Sequence, residues 1–220
     1  GLALPPWSRC LGGRVICHRR NLVDIMNVAV TRAAEGFPRR AFTVEDIRRM
    51  IDAGVIREDE RFELIEGDIV VAAPNRVAHD RVKSALVAAF SKAVPDHLFV
   101  GVASTLQVAE NILVEPDIAI LSRSVHNADP KSFARPRPED LLLLVEVAVS
   151  SLSYDRDMKA RLYARHGVRE FWVIDANERV TWVHTGPSAD GWSSVAERGP
   201  GDTLTTSALP DLAIRLDEIA

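Results

Sequence analysis

The sequence lacks any apolar run near the ~20 residues that a membrane-spanning helix needs. Its longest is the almost unbroken LLLLVEVAVSS segment at 141–151. The start, GLALPPWSRCLGGRVICHRR, contains no continuous apolar segment of the secretory type. A cytoplasmic protein with no membrane partner is the expectation. Cysteine is nearly missing: only Cys10 and Cys17 occur, and with His18 they match no common zinc spacing, so they are read as incidental.

A basic excess is lacking too. The chain has 27 basic and 31 acidic residues. Residues 1–25 contain Arg9, Arg14, Arg19 and Arg20 against Asp24 alone, without clean helical or strand periodicity. Met26 then opens MNVAVTRAAEGFPRR, which reads like an ordinary bacterial start, so residues 1–25 are expected to be a disordered extension. Setting aside those four arginines and one aspartate leaves 23 bases against 30 acids, a body of about −7. Such a body has no global attraction for a polyanion, and nucleic-acid binding would need local basic patches or metal ions.

What is present is a regular alternation of elements. Thr43 and Asp46 form an approximate capping box for a helix at 43–53. RFELIEGDIVVAA, with Glu66-Gly67 as its turn, predicts a hairpin over 61–73. Apolar residues at 82, 86, 87, 90 and 94 make the next stretch an amphipathic helix that should pack on a sheet. LFVGVASTLQV and NILVEPDIAIL read as two strands, the segment after them as a loop, and LLLLVEV as a strand buried on both faces. DRDMKARLYARHG is helical and ends at Gly167; REFWVIDA and RVTWVHT form a second hairpin, and the tail gives weak short strands. The fold class is α/β (α+β), a mixed central sheet flanked by helices.

One charge is out of place. Glu146 stands inside the apolar strand, where a carboxylate is costly unless it is paired, protonated or bound to a cation. A salt bridge to an arginine is the plain explanation. Asp117, after Pro116 in VEPDIAI, and Glu63 in RFELIEG interrupt apolar runs in the same way. Three such carboxylates, with Lys159 on the helix after Glu146, are the parts of a magnesium-dependent phosphodiesterase, because Mg²⁺ prefers hard oxygen ligands and activates water. The lysine would orient that water or steady the developing charge. Without metal, close carboxylates should raise one another's pKa, so Asp117→Asn is expected to leave stability unchanged or improve it.

RFELIEGDIVV, PDIAI and LLLVEVAVSSLSYDRDMKARLYARHGVREFWVID resemble the Uma family of bacterial endonucleases, within the PD-(D/E)xK restriction-endonuclease-like superfamily. The resemblance covers roughly residues 41–185, leaving 186–220 as a tail whose short strands pack on that domain. It implies a restriction-endonuclease-like fold and a DNA-cleaving hydrolase using Mg²⁺ or Mn²⁺. Asp117 matches the Asp of the PD half and Glu146 the next acidic position, both metal ligands with catalytic roles, and Val147 would offer a backbone carbonyl. Ala148 stands where the superfamily usually has its lysine, and Lys159 on the following helix matches the migrated one. Glu63 would complete the metal site. His79, Ser150 and Tyr163 resemble accessory positions without assigned roles. Val149 departs from the small polar or acidic residue expected there, which weakens the expected hold on metal.

Plainer roles stand beside these. His79 fits a solvated helix flank, Tyr163 and Trp172 fit core packing, and Lys159, Arg161 and Arg165 fit a wet helix face as well as a phosphate-facing patch. A catalytically inactive module that keeps the fold to bind nucleic acid or protein is the alternative function. A homodimer is the simplest arrangement for cutting both strands.

Overall fold

The first element follows from its cap. The Asp46 N–H donates to the Thr43 hydroxyl (3.1 Å) and the Thr43 N–H donates to Asp46 Oδ2 (3.0 Å), which starts α1 (Val44–Asp52). The computed structural model describes residues 39–57, 59–72, 74, 76–127 and 132–219. The expectation for residues 1–25 lies outside them. The hairpin β1 (Phe62–Ile65) and β2 (Asp68–Val71) turns through Glu66 at φ 51° and Gly67 at φ 90°. Two successive left-handed residues are what a tight two-residue turn requires.

Helix α2 (Val77–Ala93) buries Val82, Leu86 and Phe90, the expected stripe, and also His79. The two strands expected next are four. Ala103, at φ 46°, ends β3 (Leu98–Val102) before β4 (Leu106–Ala109), and Pro116, which has no N–H to donate, separates β5 (Ile112–Val114) from β6 (Ile118–Ser122). After the loop comes β7 (Leu141–Ala148), then α3 (Leu152–Tyr154), which continues through a π-helical turn at Asp155–Lys159 into α4 (Ala160–Arg165). β8 (Glu170–Asp175), β9 (Thr181–Ser188), β10 (Gly191–Arg198), β11 (Leu204–Thr206), β12 (Leu209–Ile214) and α5 (Leu216–Ile219) complete the chain.

The strands form a six-stranded sheet in the order β10-β9-β8-β7-β6-β3, a four-stranded sheet β2-β1-β5-β4, and the hairpin β11-β12. The six-stranded sheet is mixed: β7 and β8 run parallel, its other pairs antiparallel. Thus the first hairpin does not join the central sheet, and the tail's β10 is paired with β9 over its whole length. Strand alternation sorts the side chains of β7. Leu143, Val145 and Val147 pack with α2, β12 and α5, whereas Leu144 packs with Leu162 and Tyr163 of α4. Glu146, two residues beyond Leu144, faces the α4 side.

Candidate active site

Glu146 is buried beneath that helix. The Lys159 ammonium donates to its Oε1 at 2.9 Å and the Tyr163 hydroxyl donates to the same oxygen at 3.0 Å. Lys159 and Tyr163 are one turn apart, so both reach the strand from one face of the helix. The π turn carries Lys159, with the Ala160 N–H reaching back to the Asp155 carbonyl. Such turns recur at functional sites because the extra residue re-aims a side chain.

Glu63 joins from the second sheet. On β1, Phe62 and Leu64 pack toward α1, and alternation turns Glu63 the other way. Lys159 Nζ lies 3.1 Å from its Oε1 and 3.0 Å from its Oε2, and the Glu115 N–H donates to Oε1 at 2.8 Å. One ammonium thus bridges two buried carboxylates from two sheets.

Asp117 stands just before β6, and its carbonyl accepts the Ala103 N–H. The Val147 N–H donates to its Oδ2 at 2.9 Å, which ties it to the residue beside Glu146. Its Oδ1 meets His79 Nε2 and Lys83 Nζ, both at 2.9 Å. His79 and Lys83 are four apart on α2 and share a face. Ala148 accepts the Ala176 N–H on the β8 side, so by alternation the Val147 backbone faces the Asp117 side. Glu63, Asp117, Glu146, Val147, Ser150 and Lys159 border a cavity of about 290 Å³.

Burial pushes the Glu146 carboxyl well above the usual carboxylate range; Lys159 opposes this, and Asp155, Asp117 and Glu63 add to it. Burial also works against the Lys159 ammonium, but Glu146, Glu63 and Asp155 outweigh it and raise its pKa. The surrounding acids push both groups the same way, adding to burial at Glu146 and overcoming it at Lys159, so the cluster favours keeping a proton or gaining a cation. Asp117 behaves differently. Burial lifts it, yet hydrogen bonds from His79, Val147 and Lys83 together with the His79 charge bring it down to about 2. The expectation of a raised Asp117 is therefore corrected, because two basic side chains of α2 sit on it.

The site residues read from the sequence separate as follows. Glu63, Glu146, Lys159 and Tyr163 form one hydrogen-bonded group, and Asp117 with His79 adjoins it through Val147. His79 is buried, not a solvated flank. Ser150 is exposed at the cavity, and Val149 is a half-buried apolar lining residue. Trp172 is core, and Arg165 pairs with Glu66 at 3.0 Å. Lys83, Tyr154 and Asp155 were missed. Asp155 is buried and accepts from the Ser151 hydroxyl at 2.6 Å, and burial raises its pKa. The i,i+4 spacings in HDRVK and DRDMK place Lys83 beside His79 and Asp155 beside Lys159 without telling whether that face is buried, and Tyr154 has no such signal.

Among the described residues, the buried carboxylates of Glu63, Asp117, Glu146 and Asp155 on one cavity, with the Val147 backbone beside them, fit the oxygen preference of a hard divalent cation. As they stand, no three His, Cys, Asp or Glu side chains among the described residues converge closely enough to hold one. The Lys159 and Lys83 ammoniums neutralise the acids instead.

A family model described as "Uma2: Putative restriction endonuclease" matches residues 44–217. The chain belongs to this family. A crystal structure of "a putative nuclease belonging to DUF820" from Anabaena variabilis superposes with a TM-score of 0.62 at 16% identity, covering 81% of this chain and 97% of that one. It shows the nuclease-like fold of this Uma2 chain. Among curated proteins nothing matches. Among the described residues no helix is long and apolar enough to cross a membrane.

Proposed function

We propose that the chain is a metal-dependent endonuclease that hydrolyses phosphodiester bonds in DNA. The observation that carries this reading is the convergence of Glu63, Glu146, Lys159 and Tyr163 within hydrogen-bond distance at the end of a central strand, beside Asp117 and an open cavity. A Mg²⁺ or Mn²⁺ ion, when bound, would supply positive charge at the scissile phosphate and lower the pKa of the attacking water. Asp117, Glu146, Glu63 and the Val147 carbonyl are the residues to hold it. Lys159 stays charged and, held by Glu63, stands ready to steady the charge that develops on phosphate. Tyr163 fixes the Glu146 carboxylate by donating to the same oxygen as Lys159.

The self-neutralised network also suits a second reading, a nuclease-fold module that binds nucleic acid without cutting it. Supercoiled plasmid separates the two. Under the nuclease reading, the full chain with Mg²⁺ or Mn²⁺ nicks it, and both a chelator and Asp117→Ala abolish the nicking. Retained plasmid binding with no nicking in either metal supports the module instead.

A further inference from the structure

The two lysines of the site are not equivalent. Lys159 contacts two carboxylates and its side chain is 8% exposed. To leave, it would strand both acids in a buried place, at high cost. Among the described residues Lys83 contacts one carboxylate, that of Asp117, from the flank of α2, with 13% of its side chain exposed. A long flexible stem lets such an ammonium swing into water for little more than the loss of one partly exposed ion pair.

Asp117 has few places left for a ligand. Its Oδ1 carries two donors, His79 and Lys83, and its Oδ2 carries the Val147 N–H. A carboxylate offers about four lone-pair sites, so one remains, on the oxygen already tied to the strand. Glu146 is less encumbered: both of its donors sit on Oε1, and none among the described residues reaches Oε2. Glu63 is filled to the same extent, with Lys159 on both oxygens and the Glu115 N–H on Oε1, but its ammonium is locked between two acids, so Asp117 is the filled carboxylate that can give up a donor to ligate a cation. The Val147 N–H is fixed by the strand, and His79 is buried, braced on its other side by Asp80 at 3.1 Å. Lys83 is the donor free to go.

We propose that Lys83 is an exchangeable built-in cation at Asp117: a divalent ion must displace its ammonium, and Lys83 therefore sets the metal concentration at which the site assembles. This rests on the metal-dependent reading above. The packing of α2 rests on the apolar neighbours of Lys83, Val82 and Leu86, and not on Lys83 itself.

Calorimetric titration of Mn²⁺ into the full chain tests this without any substrate, with the variants Lys83→Met, Lys83→Arg and Asp117→Ala beside it. Methionine keeps the apolar stem and removes the charge; arginine keeps the competition. The expected result is saturable binding in the wild type, its loss in Asp117→Ala, about fivefold tighter binding in Lys83→Met and wild-type affinity in Lys83→Arg, fivefold being roughly what one partly exposed ion pair is worth. Binding seen only in Lys83→Met supports the proposal more strongly still. Wild-type binding that is lost in Asp117→Ala but is no tighter in Lys83→Met overturns the role of Lys83 and leaves the metal reading standing. No binding in any of the proteins, Lys83→Met included, overturns both.

Discussion

Glu146 and Glu170 lie on adjacent parallel strands, β7 and β8, and both are buried. Their company differs. Glu170 is satisfied by neutral donors: Trp172 Nε1 at 2.7 Å, the Thr206 hydroxyl at 2.9 Å, and the Ser207 N–H and hydroxyl at 3.2 and 3.3 Å. These bonds fasten the β11-β12 hairpin to the main sheet, which is a structural role. Glu146 is held by an ammonium and a phenol with other acids close by, beside a cavity. A buried carboxylate is thus no sign of chemistry by itself. The sign is an excess of like charge around it that neutral donors would not create.

The sharpest way to break this comparison is Lys159→Met, which leaves Glu63 and Glu146 facing each other without their cation. About 3–5 kcal/mol of stability at neutral pH should go. The loss should shrink in acid, because protonation of the raised Glu146 relieves the repulsion, and chemical denaturation across pH reads it. Asp117→Asn comes next, with a loss of ~2 kcal/mol near neutrality. The Asp117 pKa is depressed, so its stabilisation is present above the ordinary carboxylate pKa near 3.8 and is lost as pH falls through about 2. The variant should therefore show a flatter acid limb between about pH 4 and 2, opposite to the unchanged or improved stability that close carboxylates suggest from sequence alone.

Glu170→Gln sharpens the comparison from the other side. It turns an acceptor toward four donor contacts into an amide, for about 1–2 kcal/mol of stability. Metal binding should stay as in the wild type. Arg165→Ala, which removes the exposed contact with Glu66, should change the melting curve least, by under about 0.5 kcal/mol.

Glu63, Asp117 and Glu146 were legible because each broke an apolar run, and a run buried on both faces leaves a charge no route to water; Lys159, on a helix, was marked by the family resemblance. Lys83, Tyr154 and Asp155 were not legible, since a polar side chain on a helix has a solvated face as its ordinary place. Only the packing of α2 against β3, β7 and β12 shows that HDRVK turns His79 and Lys83 inward while Arg81 stays exposed. Glu170 went unmarked for the same reason in reverse: its donors come from Thr206 and Ser207, far along the chain. The capping box, the Glu66-Gly67 turn and the α2 stripe are local patterns and were readable. That the first hairpin belongs to a second sheet was not, because pairing of β1 with β5 joins segments about fifty residues apart.

The most direct test of the central claim is DNA cleavage in the presence of Mn²⁺ by the full chain, by Glu146→Gln and by Glu170→Gln, each first shown to be folded. The charge-rich site predicts that the wild type and Glu170→Gln cut and that Glu146→Gln loses about a hundredfold or more of the rate. Equal cutting by Glu146→Gln, or a loss of cutting in Glu170→Gln alone, would contradict it.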